Sequence, residues 1–131
     1  MIKILNSNYF LELLDLYFYM YKSMYGEEIN KHSVTKQLIT EMEQPGYLAF
    51  GIFDSNNTLV GAICGFGKPI FIVSVVICKV PYLVKKLYNH VESYLVLNNY
   101  TTWKTEAKAN IKSIAPKLGA KIDTIIYIKE L

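Results

Sequence analysis

The stretch Ala107–Ile114 (AKANIKSI), followed closely by Leu118–Lys121 (LGAK), is the most informative part of the chain. Asn110 stands where a cap residue opens a helix, because its side-chain oxygen can accept a hydrogen bond from a backbone N–H of the first turn. Gly119 ends that helix, since glycine readily adopts the conformation that closes helices. The stretch therefore predicts a short helix between two strands near the end of the chain.

Apolar periodicity predicts the other elements. Helices are expected where apolar residues recur every three or four positions, and strands where they alternate or run together. The first half is predicted to contain a strand Ile2–Leu5, a helix that begins near Asn6–Asn8 and ends at Gly26, and a helix capped by Ser33 that ends at Pro45. Three strands are predicted next, over Tyr47–Phe53, Thr58–Phe66 and Ile70–Cys78. A helix from Pro81 to Asn98, a strand Thr101–Lys108, the short helix and a last strand Ile122–Lys129 are predicted to follow.

The lysine and cysteine content argues against specific nucleic-acid binding and against a metal site. All 14 basic residues are lysines scattered along the chain, and the net charge is +3. Without arginine there is no bidentate fork to read a base or grip a phosphate, so no specific nucleic-acid binding is expected. Cys64 and Cys78 lie in apolar runs and form no metal-type pair, so no metal site is predicted.

No secretory signal or membrane span is predicted. Polar Asn6–Asn8 directly follow the first apolar residues, which does not fit a secretory signal. The longest uncharged run, Pro69–Cys78, has roughly half the length needed to cross a bilayer. The predicted location is the cytoplasm, or a virion if the protein is viral.

The predicted order of elements is similar to that of the GNAT (Gcn5-related N-acetyltransferase) family over nearly the whole chain. The local matches are the hairpin Ile52–Asp54 with Leu59–Gly61, a long apolar strand that leads into a helix, the run Thr105–Asn110, and the turn Leu118–Lys121. The resemblance implies an α/β (α+β) fold with a mixed, mostly antiparallel central sheet of about six strands and about four flanking helices. It also implies a single domain that spans residues 1–131.

The resemblance indicates where acetyl-coenzyme A would bind. In the family, the fourth strand leads into a glycine-rich loop whose backbone N–H groups, with the following helix, hold the coenzyme A pyrophosphate. The matching stretch Lys79–Lys85 has no glycine and includes Pro81, which lacks an N–H. Its lysines could still meet a phosphate as point charges. The candidate cofactor-binding residues are Val76, Ile77, Cys78, Lys79, Lys85 and Asn110, with a helix cap as the alternative role of Asn110.

Two further departures concern acid–base chemistry. The strand Ile70–Cys78 has no carboxylate, where family members often place an acid that deprotonates the amine. The last helix is shorter than is usual in the family, and the missing part is where many members carry a tyrosine that protonates the departing thiolate. Tyr127 is a candidate substitute for that acid, or a packed aromatic residue. Glu41 and Glu43 precede the hairpin, where members of the family often bind the amine that accepts the acetyl group. Glu43 is the candidate catalytic carboxylate.

These departures favour a GNAT-like pseudoenzyme that binds no cofactor and acts as a binding or assembly module, for example a phage or viral structural protein. Tyrosines on several faces of the first helix would offer an aromatic surface to a protein partner or to a second copy of the chain. The alternative is a divergent N-acetyltransferase that holds acetyl-coenzyme A between Ile70–Cys78 and Thr101–Lys108. The loop Lys79–Lys85 distinguishes the two, because an enzyme must keep it open and a scaffold need not.

Overall fold

A computed structural model describes residues 1–26, 29–106, 121–123 and 126–131. The strands are β1 (Ile2–Ile4), β2 (Leu48–Phe53), β3 (Leu59–Phe66), β4 (Ile70–Cys78), β5 (Thr102–Glu106), β6 (Lys121–Asp123) and β7 (Ile126–Glu130). The helices are α1 (Phe10–Tyr25), α2 (Lys31–Met42) and α3 (Val84–Leu97), and short 3-10 turns at Ser7–Tyr9 and Pro81–Leu83 precede α1 and α3. Up to β5, these elements follow the order predicted from apolar periodicity.

In the described part of the chain, seven strands form one sheet in the order β1-β2-β3-β4-β5-β7-β6. β4 and β5 run parallel, and every other neighbouring pair is antiparallel. The connection between β4 and β5 carries α3, because a parallel pair needs a long crossover. The predicted mixed, mostly antiparallel sheet with flanking helices is therefore confirmed.

The prediction of one last strand over Ile122–Lys129 is wrong. β6 and β7 divide this segment and pair antiparallel, with Lys121 opposite Ile128. β7 also pairs with β5, so the later strand lies inside the sheet and β6 forms its edge. The sequence between these strands, Thr124-Ile125, has no glycine, proline, asparagine or aspartate, so the alternating isoleucines predicted a single strand.

Asparagine side chains cap α2 and the 3-10 turn that precedes α1. Asn30, not the predicted Ser33, caps α2, and its side-chain oxygen accepts from the Ser33 N–H at 3.1 Å. Both residue types are good caps, but the backbone of Asn30 is extended and Ser33 already lies inside the first turn. Ahead of α1, Asn6 accepts from a backbone N–H. Gly26, with φ +88°, ends α1 as predicted.

Two layers of buried side chains lie on opposite faces of the sheet. The layer beneath α3, here called the α3 layer, includes Phe50, Ile63, Phe71, Val76, Leu87, Tyr88, Val91, Leu95 and Trp103. The layer beneath α1 and α2, here called the α1/α2 layer, includes Leu13, Leu16, Tyr17, Val34, Leu38, Ala49, Cys64, Val75 and Ile77. The central strands are therefore covered on both faces, which explains why they are apolar at almost every position.

Candidate functional site

Within the described residues, β4 and β5 pair only where they begin. Their parallel ladder joins Ile70 to Thr102, Phe71 to Trp103 and Ile72 to Lys104. One further bond follows, in which the Thr105 hydroxyl donates to the Val73 carbonyl at 2.9 Å. β4 then continues to Cys78, past the point where the described part of β5 ends at Glu106. The region beside Ser74–Cys78, on the β5 side of β4, is called the β4–β5 opening.

A β-bulge at Ser74 lies where the opening starts. In the antiparallel ladder with β3, Cys64 lies opposite Val75. The next pair is Gly65 and Val73, so Ser74 is the extra residue of β4. Its hydroxyl donates to the Cys64 carbonyl at 3.1 Å. Because a bulge bends its strand and increases the local twist, it changes the course of β4 at this point.

The bulge also exchanges the faces to which β4 side chains point. Before it, Phe71 and Val73 are buried in the α3 layer. After it, Val76 lies in the α3 layer, while Val75 and Ile77 lie in the α1/α2 layer. One extra residue produces this exchange because side chains alternate along a strand. The predicted cofactor residues Val76 and Ile77 are thus both buried, on opposite faces of the sheet.

Three more predicted cofactor residues lie after the bulge, at the end of β4 and beyond. Cys78 is half-buried, and its thiol donates to the Val80 carbonyl at 3.0 Å. The ammonium group of exposed Lys79 lies 5.1 Å from the centre of the Tyr19 ring. Lys85 is exposed in the first turn of α3. The structure therefore brings Cys78, Lys79 and Lys85 to the same end of the opening.

The turn that precedes α3 uses backbone N–H groups within itself. Leu83 donates to the Val80 carbonyl at 2.9 Å. Val84 donates to the carbonyl of Pro81, and Pro81 itself has no N–H. An anion at this turn would therefore meet lysine ammonium groups rather than a cradle of backbone N–H groups.

The other predicted residues lie on separate elements. Glu43 is exposed at the C-terminal end of α2. Tyr127 lies in β7, opposite Thr105 of β5. Asn110, with the short helix predicted to end at Gly119, lies outside the described residues. The catalytic roles of Glu43 and Tyr127 stay predictions.

A polar cluster of Tyr17, Glu41, Tyr47 and Cys64, here called the Glu41 cluster, lies in the α1/α2 layer. The Tyr17 hydroxyl donates to Glu41 Oε2 at 3.1 Å. Burial raises the pKa of the Cys64 thiol to about 12, and the Glu41 carboxylate adds to that rise. Burial also raises the pKa of Tyr17 and of Tyr47. Both phenols and the thiol are therefore protonated at neutral pH.

Helical phase explains why Glu41 enters this cluster and Glu43 does not. Glu41 follows buried Leu38 by three residues and buried Val34 by seven, which places all three side chains on one face of α2. Glu43 is two residues further on and is exposed. The periodicity that predicted the buried face of α2 thus already pointed to Glu41.

A second polar network ties α3 to β5 and β7. The Trp103 indole N–H donates to Glu92 Oε2 at 3.1 Å, and the Lys129 ammonium lies 2.6 Å from the same oxygen. The Tyr88 ring lies 5.6 Å from that of Trp103, and its buried hydroxyl has no hydrogen-bond partner among the residues that the structure describes. An open cleft of about 650 Å³ lies beside this network, between α3 and the end of β7. The network holds α3 against β5 at one side of the opening.

The described residues form no metal site from histidine, cysteine or carboxylate side chains. His32 and His90 are exposed. Among the residues that the structure describes, no three His, Cys, Asp or Glu side chains lie close enough together to hold a metal ion. The helices in the same residues include none that is both long and apolar enough to cross a membrane.

Cys78 is expected to react with N-ethylmaleimide in the native protein, and Cys64 only after unfolding. Cys64 is fully buried, so the reagent cannot reach it. Its pKa is raised to about 12, so almost none of it is the reactive thiolate at neutral pH. Burial also raises the pKa of half-buried Cys78, so its reaction should be slow and should accelerate as the pH rises. Mass spectrometry would count the labels, and two labels on the native protein would contradict the position of Cys64.

The sequence matches no protein-family model and no curated protein. The structure, in contrast, is similar to solved acetyltransferases over its full length. A GNAT-family acetyltransferase from Staphylococcus aureus aligns with a TM-score of 0.74 and 15% identity, over 100% of this chain and 99% of that one. GCN5 from Tetrahymena aligns with a TM-score of 0.76 and 11% identity, over 99% and 95%. A PaiA N-acetyltransferase from Thermoplasma acidophilum, solved in complex with coenzyme A, aligns with a TM-score of 0.75 and 18% identity, over 100% and 99%.

Identities this low establish the fold and nothing finer. They agree with the resemblance carried by the sequence, and they cover the mixed sheet and its flanking helices from end to end. This chain therefore has the GNAT fold.

Proposed function

We propose that this chain is an N-acetyltransferase that uses acetyl-coenzyme A. The observation that carries the proposal is the β4–β5 opening with its bulge at Ser74, in a fold shared with acetyltransferases along the whole chain. An aminoglycoside 6'-N-acetyltransferase and the PaiA N-acetyltransferase with this fold were both solved with coenzyme A.

The comparisons favour this proposal over a non-catalytic module. They lend no support to an assembly role or to a viral structural role. The coenzyme A in two similar structures also argues against the expectation that no cofactor is bound. A protein partner on an aromatic surface remains a prediction, for which Tyr19, Tyr25 and Tyr82 are the exposed tyrosines.

The β4–β5 opening fits the pantetheine arm of coenzyme A. Pantetheine is an extended chain with amide groups, so it can lie along a strand much as a peptide strand does. β4 extends to Cys78, past the described end of β5 at Glu106, and a bound chain would lie beside this part of the strand. Buried Val76 supplies an apolar wall on the α3 side of the sheet.

The loop after β4 fits the diphosphate by charge rather than by backbone geometry. Pro81 and the closed turn before α3 offer few N–H groups, so the ammonium groups of Lys79 and Lys85 would hold the phosphates. Lysine acts as a point charge, and an exposed charge is screened by salt. Coenzyme A binding should therefore weaken as the ionic strength rises.

Bound acetyl-coenzyme A would supply an activated thioester. The chain holds that group beside β4, and the apolar α3 layer keeps water away from it. The opposite side of the sheet carries α1, α2 and the Glu41 cluster, so the polar groups that can receive an amine lie there.

Acetyl-coenzyme A is expected to raise the melting temperature of the purified protein. A ligand at about one hundred times its dissociation constant stabilises a protein by roughly 2.7 kcal/mol. Calorimetric titration would give the constant for acetyl-coenzyme A and for coenzyme A. Replacement of Lys85 by glutamine should weaken binding by up to about fivefold, the range of an exposed ion pair.

The matched control is Lys36→Gln, because Lys36 is exposed on α2, away from the loop after β4. It should leave binding unchanged. An unchanged melting temperature of the native protein at millimolar acetyl-coenzyme A would contradict the proposed function.

A further inference from the structure

We propose that the carboxylate of Glu41, on the second helix, accepts the proton of the amine substrate. The inference rests on the proposed function. β4 has no Asp or Glu between Ile70 and Cys78, so a carboxylate base would have to lie on another element. Glu41 lies at the end of α2, and the fold brings it into a buried cluster on the sheet.

The first argument is position. The Glu41 carboxylate lies on the α1/α2 side of the sheet, and α3 covers the other side. It accepts from Tyr17 and is close enough to the Cys64 thiol to affect its ionisation. Cys64 pairs with Val75, next to the bulge, and neighbouring strands lie about 4.8 Å apart. The cluster is therefore one strand away from the start of the opening.

The second argument is the hydroxyl groups around the carboxylate. Tyr17 is fully buried, and the bond that it donates fixes the orientation of the Glu41 side chain. The Tyr47 hydroxyl is buried beside the Cys64 thiol. A phenol oxygen can both donate and accept, so Tyr47 can also hydrogen-bond an amine or a bridging water.

The chemistry balances without any further reagent. The amine arrives as an ammonium ion and first gives one proton to the Glu41 carboxylate, which later releases it to solvent. The nitrogen then forms its bond to the acetyl carbon, the bond between that carbon and sulfur breaks, and a second proton goes from nitrogen to the departing sulfur. The products are an acetamide, coenzyme A and one proton.

The same features define the acceptor as a primary alkylamine. A carboxylate attracts an ammonium ion, and tyrosine rings favour a cation over a neutral group. Tyr21, whose hydroxyl donates to Gln37 at 2.5 Å, is half-buried next to the cluster and adds an aromatic wall. Butylamine is a suitable probe, with 1-butanol as its uncharged counterpart.

The experiment compares Glu41→Gln with the native protein. Loss of a general base should lower kcat/KM for butylamine by roughly 100-fold or more, measured as thiol release from acetyl-coenzyme A. Calorimetry of butylamine with the coenzyme A complex should show a loss of affinity of roughly tenfold, because the charge pair is removed. The dissociation constant for acetyl-coenzyme A should change by less than about twofold, since the contacts of the cofactor itself are untouched.

Two control variants make the result specific. Glu12→Gln makes the same chemical change at an exposed position of α1 and should leave the rate unchanged. Glu41→Asp keeps the charge but shortens the side chain by one methylene group, so an intermediate rate is expected. This variant separates the effect of losing the charge from the effect of an altered fold. Melting curves of each variant check the fold.

Three outcomes would overturn the inference. Glu41→Gln could retain the native rate, Glu43→Gln could lose the rate instead, or the native protein could bind acetyl-coenzyme A and transfer acetyl to no alkylamine. Absence of acetyl-coenzyme A binding would instead overturn the proposed function. The cofactor titration therefore separates the failure of one from the failure of the other.

Discussion

Replacement of Trp103 by alanine is expected to lower the free energy of unfolding by roughly 3–5 kcal/mol, the range found for large aromatic residues in protein cores. Trp103 is 1% exposed and is among the largest fully buried side chains of the described residues. Its loss leaves a cavity between α3 and β5, beside Tyr88. It also removes the indole N–H that donates to Glu92. Urea denaturation followed by circular dichroism would measure the change.

Trp103→Phe separates packing from hydrogen bonding. Phenylalanine keeps much of the buried ring, so its additional cost is mainly the lost bond to Glu92, about 1–3 kcal/mol for a bond to a charged group. Tyr82→Ala removes an aromatic ring that is 82% exposed and should change stability by less than about 0.5 kcal/mol. Equal losses in Trp103→Ala and Tyr82→Ala would contradict the packing described for β5 and α3.

Replacement of Gly65 by alanine is expected to destabilise the protein by roughly 3 kcal/mol, the upper part of the usual range for an overpacked site. A Cβ at Gly65 would lie 2.5 Å from the Ile72 carbonyl oxygen and 2.6 Å from the Phe71 ring. The carbonyl belongs to the backbone of β4 and cannot turn away, so β4 itself must shift. The same shift should weaken acetyl-coenzyme A binding, because β4 lines the opening.

Gly26→Ala is the matched control for Gly65→Ala. Gly26 has φ +88° and ψ −175°, but a Cβ added there would meet no atom within 4 Å, so its cost is backbone strain alone, roughly 1–3 kcal/mol. Thermal melts of both variants, with and without acetyl-coenzyme A, would measure stability and binding together. Only Gly65→Ala should weaken acetyl-coenzyme A binding, and equal binding by the two variants would contradict the close packing of β3 and β4 at the bulge.

The order of elements could be predicted because the helices and the central strands carry strong, different periodicities. The β2–β3 hairpin was predicted for the same reason, since Asp54–Asn57 is a clear turn between two apolar runs. The division of the last segment into β6 and β7 was not predicted, because the alternation of isoleucines continues through Thr124-Ile125.

The site could be predicted only in outline. The resemblance predicted a cofactor site between β4 and β5, which stays a prediction, and the bulge at Ser74 was not predicted. β4 carries apolar side chains on both faces, so its sequence shows no alternation of apolar and polar residues that the bulge could interrupt. The sequence could have shown that Glu41, and not Glu43, lies on the buried face of α2, if the spacing of Val34 and Leu38 had been extended to the last turn of the helix. Pairing across distant elements, such as Tyr17 with Glu41, is not visible in sequence at all.

The late position of α3 and β5 in the chain also affects how the protein folds during synthesis. α1 and α2 leave the ribosome before β2, β3 and β4, so one face of this nascent sheet can be covered at once. The other face and the far edge of β4 wait for α3 and β5, and the Thr105–Val73 bond spans 32 positions. Until then, an apolar strand edge is exposed, which invites pairing with other chains. The step most prone to aggregation, and most in need of a chaperone, is therefore the interval before β5 emerges.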